Sequence, residues 1–544
     1  NSEVMKFRDF MLLAILCTTT FFIYNTALPA DIMEVRNFIT AREIIDNDSW
    51  LYPTLNGVLQ LEKPPLPTWV AAAIEYVSPD SLGAQRMAAG VMAVVWITFF
   101  YYVALYLSQR KDYALYSTII FMTCYNVVQM GRTASWDIYC NAFMMAAIYF
   151  LMRGLYDDYF KERQRPWLYL PLAGLMMGLS FLSKGPVAFY AQLLPALIAA
   201  LIFIRPLDVR EKWKPLAAMV VICLVVSGWW YVYLLLNHHE EVMAFLSQHA
   251  YWGTRIVRPW YYYWRFFCET GVWTTLMLTA LMIPFWNKRL PERRGYLIAV
   301  TWTLVALVLL SLIPEKRVRY LLPMMTPCSL AMGYVIIYFK DYCHKDRQAE
   351  RLFLLNGVVM SVVTFTLPVL VFIFGYQRDS MHLDSYVGIT LLIVLAGLWI
   401  ARATMNRDAG QLIFGVAALF AVICSFLLRP IANVFDNPDK NSIHQISNLD
   451  LPFYHKADEN LRIELIYSAR HQIKPLDLSD EKAVEKAMPC VVITRDDITK
   501  SLSGEQLKKI RLEPLGRFDD NKHPKGNEHY TADFINHATI LRQR

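Results

Sequence analysis

Residues 29–69 read PADIMEVRNFITAREIIDNDSWLYPTLNGVLQLEKPPLPTW and carry Asp31, Glu34, Arg36, Arg42, Glu43, Glu62 and Lys63. These types suit two tasks. Carboxylates can orient or deprotonate a nucleophile. Lysine and arginine can hold an anionic group, lysine as a compact charge and arginine as a fork. In LEKPPLPTW, prolines at 64, 65 and 67 fix φ and stiffen the mount of Glu62 and Lys63. Such a mount suits a phosphate or a metal, and equally an ion pair whose heads reach out of an apolar surface.

Four later pieces add to this set. GRTASWD (131–137) brings Asp137, either a helix cap or a carboxylate at membrane depth. SKGP (183–186) puts Lys184 alone between two apolar runs. PEKRVRY (314–320) supplies Lys316, Arg317, Arg319 and Tyr320, three cations against one glutamate, fit for a phosphate or for anionic headgroups. The stretch 237–269 holds His238, His239, Glu240, Glu241 and His249, and His249 with Glu62 makes an N/O pair for a divalent metal. Its run Trp260–Trp264 reads as an interfacial aromatic belt or a sugar platform.

The elements that position these residues are membrane spans. Of 544 residues, 56% are hydrophobic and 18% charged, with a mean hydropathy of +0.30. A soluble protein carries about 25% charged residues. Thirteen apolar runs, each near the ~20 residues that cross a bilayer, start at residues 9, 83, 114, 138, 168, 187, 215, 270, 296, 319, 353, 386 and 411. The first has no small-residue cleavage site and reads as a retained anchor. The expected fold is a membrane all-α bundle of about 13 transmembrane helices, with a surface helix over 34–45 in the first outside loop. The net charge of +7 does not point to nucleic acid, because the basic residues sit at the ends of apolar runs.

With the N-terminus cytoplasmic, every second loop is basic, as in Arg110–Lys111, Lys288–Arg294 and Lys340–Arg351. That register places 29–82, 131–137, 183–186, 237–269 and 314–320 on one outer side, where they can converge. The bundle spans 1–428. The tail 429–544, also outside, reads as a small C-terminal α/β domain, with strands over 462–468, 490–496 and 511–518 and a helix over 479–488. Six of the nine cysteines lie in or beside apolar runs without a C-x-x-C pair, as buried free thiols do.

Taken in order, E-V-R with A-R-E, L-E-K-P-P-L, S-W-D, S-K-G-P and K-R-x-R-Y-x-L-P resemble the polyprenyl-phosphate-dependent multispan (GT-C type) glycosyltransferases. Bacterial lipid A aminoarabinose transferases are the nearest group, and protein O-mannosyltransferases are more distant. The resemblance implies an inner-membrane, multi-pass enzyme with a periplasmic C-terminal domain. It would move a sugar from undecaprenyl phosphate, with inversion, to lipid A, another glycolipid or a protein. It also implies Asp31, Glu34 and Asp137 as catalytic candidates. Arg36, Lys63, Lys184, Lys316, Arg317, Arg319 and Tyr320 would bind substrate, and Glu62 and His249 would bind a divalent metal, zinc by family habit. One departure stands out. The family has Asp-Glu before x-Arg in the first loop, whereas here the pair is Met33-Glu34, with Asp31 two residues earlier. A lipid or solute transporter would suit a multispan chain too. It would set polar residues along a mid-bilayer path in paired repeats rather than on one face. A scaffold whose tail binds a partner is the third class.

Overall fold

The computed structural model describes residues 5–156, 165–206, 208–248, 256–434 and 436–544. The chain forms two compact units. The first comprises Asn1–Leu28, Leu61–Pro67 and Ser81–Ile431, and the second comprises Pro29–Gln60, Thr68–Asp80 and Ala432–Arg544.

The first unit is helical. Among the described residues, nine helices are long and apolar enough to cross a membrane: Leu82–Ser108, Trp136–Leu155, Pro166–Lys184, Trp213–Asn237, Arg293–Leu312, Val318–Tyr342, Arg347–Tyr376, Leu383–Met405 and Ala409–Val434. Four further apolar runs form shorter or broken helices. Phe7–Cys17 continues as Thr18–Phe22, and Lys111–Thr123 breaks before Tyr125–Gly131. Phe189–Phe203 is short, and a 3-10 segment, Trp260–Trp273, precedes Thr274–Ala280.

Local chemistry sets the helix ends. Ser81 and Asp346 cap their helices by accepting backbone N–H bonds from Ala84 and from Gln348 and Ala349. Two buried arginines close the open end of the first helix. Arg132 donates to the Thr20, Ile23 and Tyr24 carbonyls at 2.6–2.8 Å, and Arg86 donates to those of Asn25 and Leu28 at 2.7 Å.

Packing ranks the helices. The best apolar window of Val318–Tyr342 is 94% buried, that of Trp213–Asn237 only 17%. The former is the core of the bundle and the latter a wall that lipid must cover. Pro166–Lys184 approaches Trp213–Asn237 closely through glycine: a Cβ on Gly174 would stand 2.2 Å from the Met219 carbonyl oxygen.

The second unit is built on strands. A short hairpin pairs β1 (Thr54–Leu55) with β2 (Val58–Leu59). The larger sheet contains β3 (Phe453–Lys456), β4 (Ile473–Leu476), β5 (Cys490–Thr494), β6 (Ile510–Asp519) and β7 (Ile535–Gln543), in the order β4-β3-β5-β7-β6. β3 runs parallel to β4 and β5, while β7 is antiparallel to β5 and β6.

Two local expectations change. The run 462–468 is a helix, Ile463–Ala469, not a strand. Its buried residues Leu465, Ile466 and Ala469 repeat at helical spacing, which overrides their β-type composition. The first-loop helix forms over Ile32–Asn47, but protein covers its apolar face. Val35 and Ile39 share one core with Ile443, Phe453, Ile466 and Val491.

Candidate functional site

Asp137 is the second residue of Trp136–Leu155, and Lys184 is the last of Pro166–Lys184. These neighbouring helices are joined by the Ser180 hydroxyl, which donates to the Cys140 carbonyl at 2.8 Å. A carboxylate at a helix N-terminus and an ammonium at a C-terminus each sit in the favourable end of a helix dipole. The two side chains form an ion pair that is almost wholly buried. Gly185, at φ +74°, ends the second helix by leaving the right-handed region, where glycine has no Cβ penalty.

Arg319 and Tyr320 complete this centre from the 3-10 segment Val318–Met324. The Arg319 guanidinium stands 3.6 Å from Asp137 Oδ2, in electrostatic contact but beyond a hydrogen bond. The Lys184 ammonium lies 5.5 Å from the Tyr320 ring centroid, a cation–π distance.

Lys63, on the strip Leu61–Pro67, shares the first unit with this centre. Burial lowers the pKa of its ammonium to about 8, and the charges of Lys184 and Arg317 add to the effect. Asp137 and Glu62 pull the other way without cancelling it. Among the described residues no hydrogen bond or ion pair satisfies Lys63. Arg317 is held differently. Its guanidinium pairs with Glu315 at 2.8 Å, and its backbone is clamped by buried Tyr263. The Tyr263 hydroxyl accepts the Arg317 N–H at 2.9 Å and donates to the Arg317 carbonyl at 3.1 Å.

The other expected residues divide. Lys316 is buried and gives its ammonium to the Ile313 carbonyl, so it stabilises a turn. Asp31, Glu34 and Arg36 belong to the second unit. Asp31 and Glu34 form a capping box at the start of Ile32–Asn47, where the Asp31 N–H donates to Glu34 Oε2 at 2.9 Å. His249 lies outside the described residues. Among the described residues no three His, Cys, Asp or Glu side chains come together to hold a metal. Two cations, Lys184 and Arg317, and two carboxylates, Asp137 and Glu62, act on Lys63. Of the two residues expected to bind a metal, Glu62 is among the described residues and His249 is not.

Sequence reasoning passed over Tyr263, Asn126 and Glu269. Glu269 had a usable signal, an isolated carboxylate in the apolar run RFFCETGVW.

A family model described as dolichyl-phosphate-mannose-protein mannosyltransferase matches residues 62–232, from Glu62 past Asp137 and Lys184. The chain is 23% identical over 387 residues to an undecaprenyl phosphate-alpha-4-amino-4-deoxy-L-arabinose arabinosyl transferase of Pseudomonas savastanoi, covering 68% of each chain. It is also 23% identical over 410 residues to the enzyme so named in Yersinia enterocolitica, covering 73% of this chain and 72% of that one. The crystal structure of ArnT from Cupriavidus metallidurans bound to undecaprenyl phosphate superposes with a TM-score of 0.68 at 15% identity. The superposition covers 98% of this chain and 96% of that one.

The chain is a glycosyltransferase, and it resembles the multispan GT-C type. Its bundle places the cation-rich centre on helix ends and 3-10 turns rather than along the middle of the long helices.

Proposed function

We propose that the enzyme transfers a sugar from a polyprenyl phosphate, undecaprenyl phosphate in a bacterium, to an acceptor on the outer side of the inner membrane. Lipid A or a related glycolipid is the acceptor class favoured by the relatives' names. The observation that carries the reading is Lys63, half-buried, without a hydrogen bond or ion pair among the described residues and within electrostatic reach of Lys184 and Arg317. A lysine so placed is short of an anion, and a phosphodiester supplies one. The thirteen apolar runs all cross in this reading. The basic alternate loops support a cytoplasmic N-terminus and an outer C-terminal tail.

The donor phosphate sits against Lys63, Arg317 and Arg319. The acceptor oxygen attacks the anomeric carbon from the face opposite the phosphate. The new C–O bond forms as the bond to the phosphate oxygen breaks, and the electron pair leaves on that oxygen. Charge on the leaving polyprenyl phosphate is stabilised by the fixed cations, each worth about 3 kcal/mol when well aimed. Asp137 holds Lys184 and Arg319 in place, because a carboxylate already shared by two cations is a weak base. An acceptor phosphate arrives ionised and needs no base. A hydroxyl acceptor would pass its proton to a carboxylate, for which Asp31 and Glu34 remain the proposed candidates. A divalent metal at Glu62 and His249 is likewise a proposal, tested by assaying transfer after chelation and zinc return.

The deciding experiment uses purified full-length protein in lipid, a labelled polyprenyl-phosphate sugar and lipid A. Transfer to lipid A is the expected result, with at least a hundredfold loss in Lys63→Ala. Full transfer by that variant would refute the site.

A further inference from the structure

Glu269 is 8% exposed on the 3-10 segment Trp260–Trp273, two turns beyond Tyr263 and hence on the same side of that segment. Its Oε2 accepts a 3.1 Å hydrogen bond from Asn126 Nδ2. Among the described residues no cation pairs with it and no second hydrogen bond reaches it. Asn126 is 1% exposed, and its Oδ1 is buried without a hydrogen-bond partner. Turning the amide round does not help, because Oδ1 would then face the carboxylate. The carboxylate thus holds one amide bond and no cation among the described residues, and Asn126 Oδ1 beside it holds no bond. A buried charge is ordinarily paired, and a buried polar oxygen ordinarily bonded.

The arrangement is built into the backbone. Gly271, at φ +67°, kinks the chain just after Glu269, and a Cβ there would stand 3.0 Å from Tyr125 Cβ. This close approach brings Glu269 beside Asn126 on the helix Tyr125–Gly131. Both elements also pack against Val318–Met324, which carries Arg319 and Tyr320. The segment that bears Glu269 clamps Arg317 through Tyr263. The pair therefore adjoins the wall that carries the donor-site cations. The complement it lacks has a positive charge and more than one N–H.

We propose that Glu269 and Asn126 form the subsite that recognises an ammonium group on the transferred sugar. This rests on the reading of the chain as a transferase of polyprenyl-phosphate-linked sugars. A sugar joined to the phosphate at Arg317 and Arg319 lies along the same wall, so the donor brings the amine. The ammonium pairs with the Glu269 carboxylate and donates to Asn126 Oδ1. A hydroxyl in its place leaves the carboxylate unneutralised, so the subsite discriminates between amino and neutral sugars.

The test uses full-length protein in lipid with two donors: undecaprenyl phosphate carrying 4-amino-4-deoxy-L-arabinose, and the same lipid carrying L-arabinose. The unaltered enzyme is expected to favour the amino donor by at least tenfold in kcat/KM. Glu269→Gln, close in shape, is expected to abolish that preference through a loss on the amino donor alone, with an unchanged melting temperature. Glu269→Asp is expected to restore part of the preference. Equal losses on both donors, or a preference unchanged by Glu269→Gln, would overturn the subsite. So would an unaltered enzyme that prefers the neutral donor. Transfer of neither sugar by the unaltered enzyme would instead refute the broader donor reading. Should Glu269→Gln fail to fold, Asn126→Ser serves as the second variant, and it is expected to lower the preference at least threefold.

Discussion

Asp137 and Lys184 form a buried ion pair across the ends of two packed helices, 47 residues apart in the chain. Each charge was desolvated to bring them together, so each depends on the other. Removing one partner of such a pair costs about 3–5 kcal/mol, whereas replacing both with apolar residues can be neutral. Lys184→Met should therefore lower the melting temperature sharply, and Asp137→Leu with Lys184→Met should recover most of it. Transfer activity should stay lost in both. Differential scanning fluorimetry in detergent reads this directly. A double variant no more stable than the single one would show that the pair is not coupled.

Lys63 should set an alkaline limit on activity. Its ammonium is charged below about 8 and neutral above it, because burial and neighbouring cations lower its pKa. Phosphate binding needs the charged form, so kcat/KM, which reports the free enzyme, should fall as pH rises through about 8. Lys63→Arg keeps its charge throughout and should move that fall to higher pH. An unshifted alkaline limb in Lys63→Arg would assign the titration to another group.

Tyr263→Phe removes a hydroxyl that both receives from and donates to the Arg317 backbone. Each bond is worth about 1 kcal/mol net, and the buried groups left behind add to the loss. The expected result is a stability loss of about 2 kcal/mol and roughly a tenfold drop in kcat/KM through looser placement of Arg317. Unchanged kinetics would mean that the clamp does not position the arginine.

The capping box at Asp31 and Glu34 separates structure from chemistry. Asparagine caps a helix about as well as aspartate, while alanine costs about 1 kcal/mol. Asp31→Asn should keep the melting temperature, and Asp31→Ala should lower it. Circular dichroism melts would show this, and an equal loss in both variants would rule out the cap as the source of stability.

Much of this was legible in the residues themselves. Apolar length and the scarcity of charge are local properties, and they decide where long helices form, as at Leu82–Ser108 and Leu383–Met405. Motif types marked Lys63, Asp137, Lys184 and Arg319 as candidates. Asp137 and Lys184 lie on helices that meet only after folding, so no spacing could show that one takes the other. The same cause hid the setting of Ile32–Asn47. Its amphipathic pattern fits a lipid surface and a protein core equally, and only the sheet residues Phe453 and Val491 decide for the core. Hydrophobic periodicity belongs to a segment and survives in sequence. The partner of a buried charge belongs to the packing, where desolvation makes every contact specific.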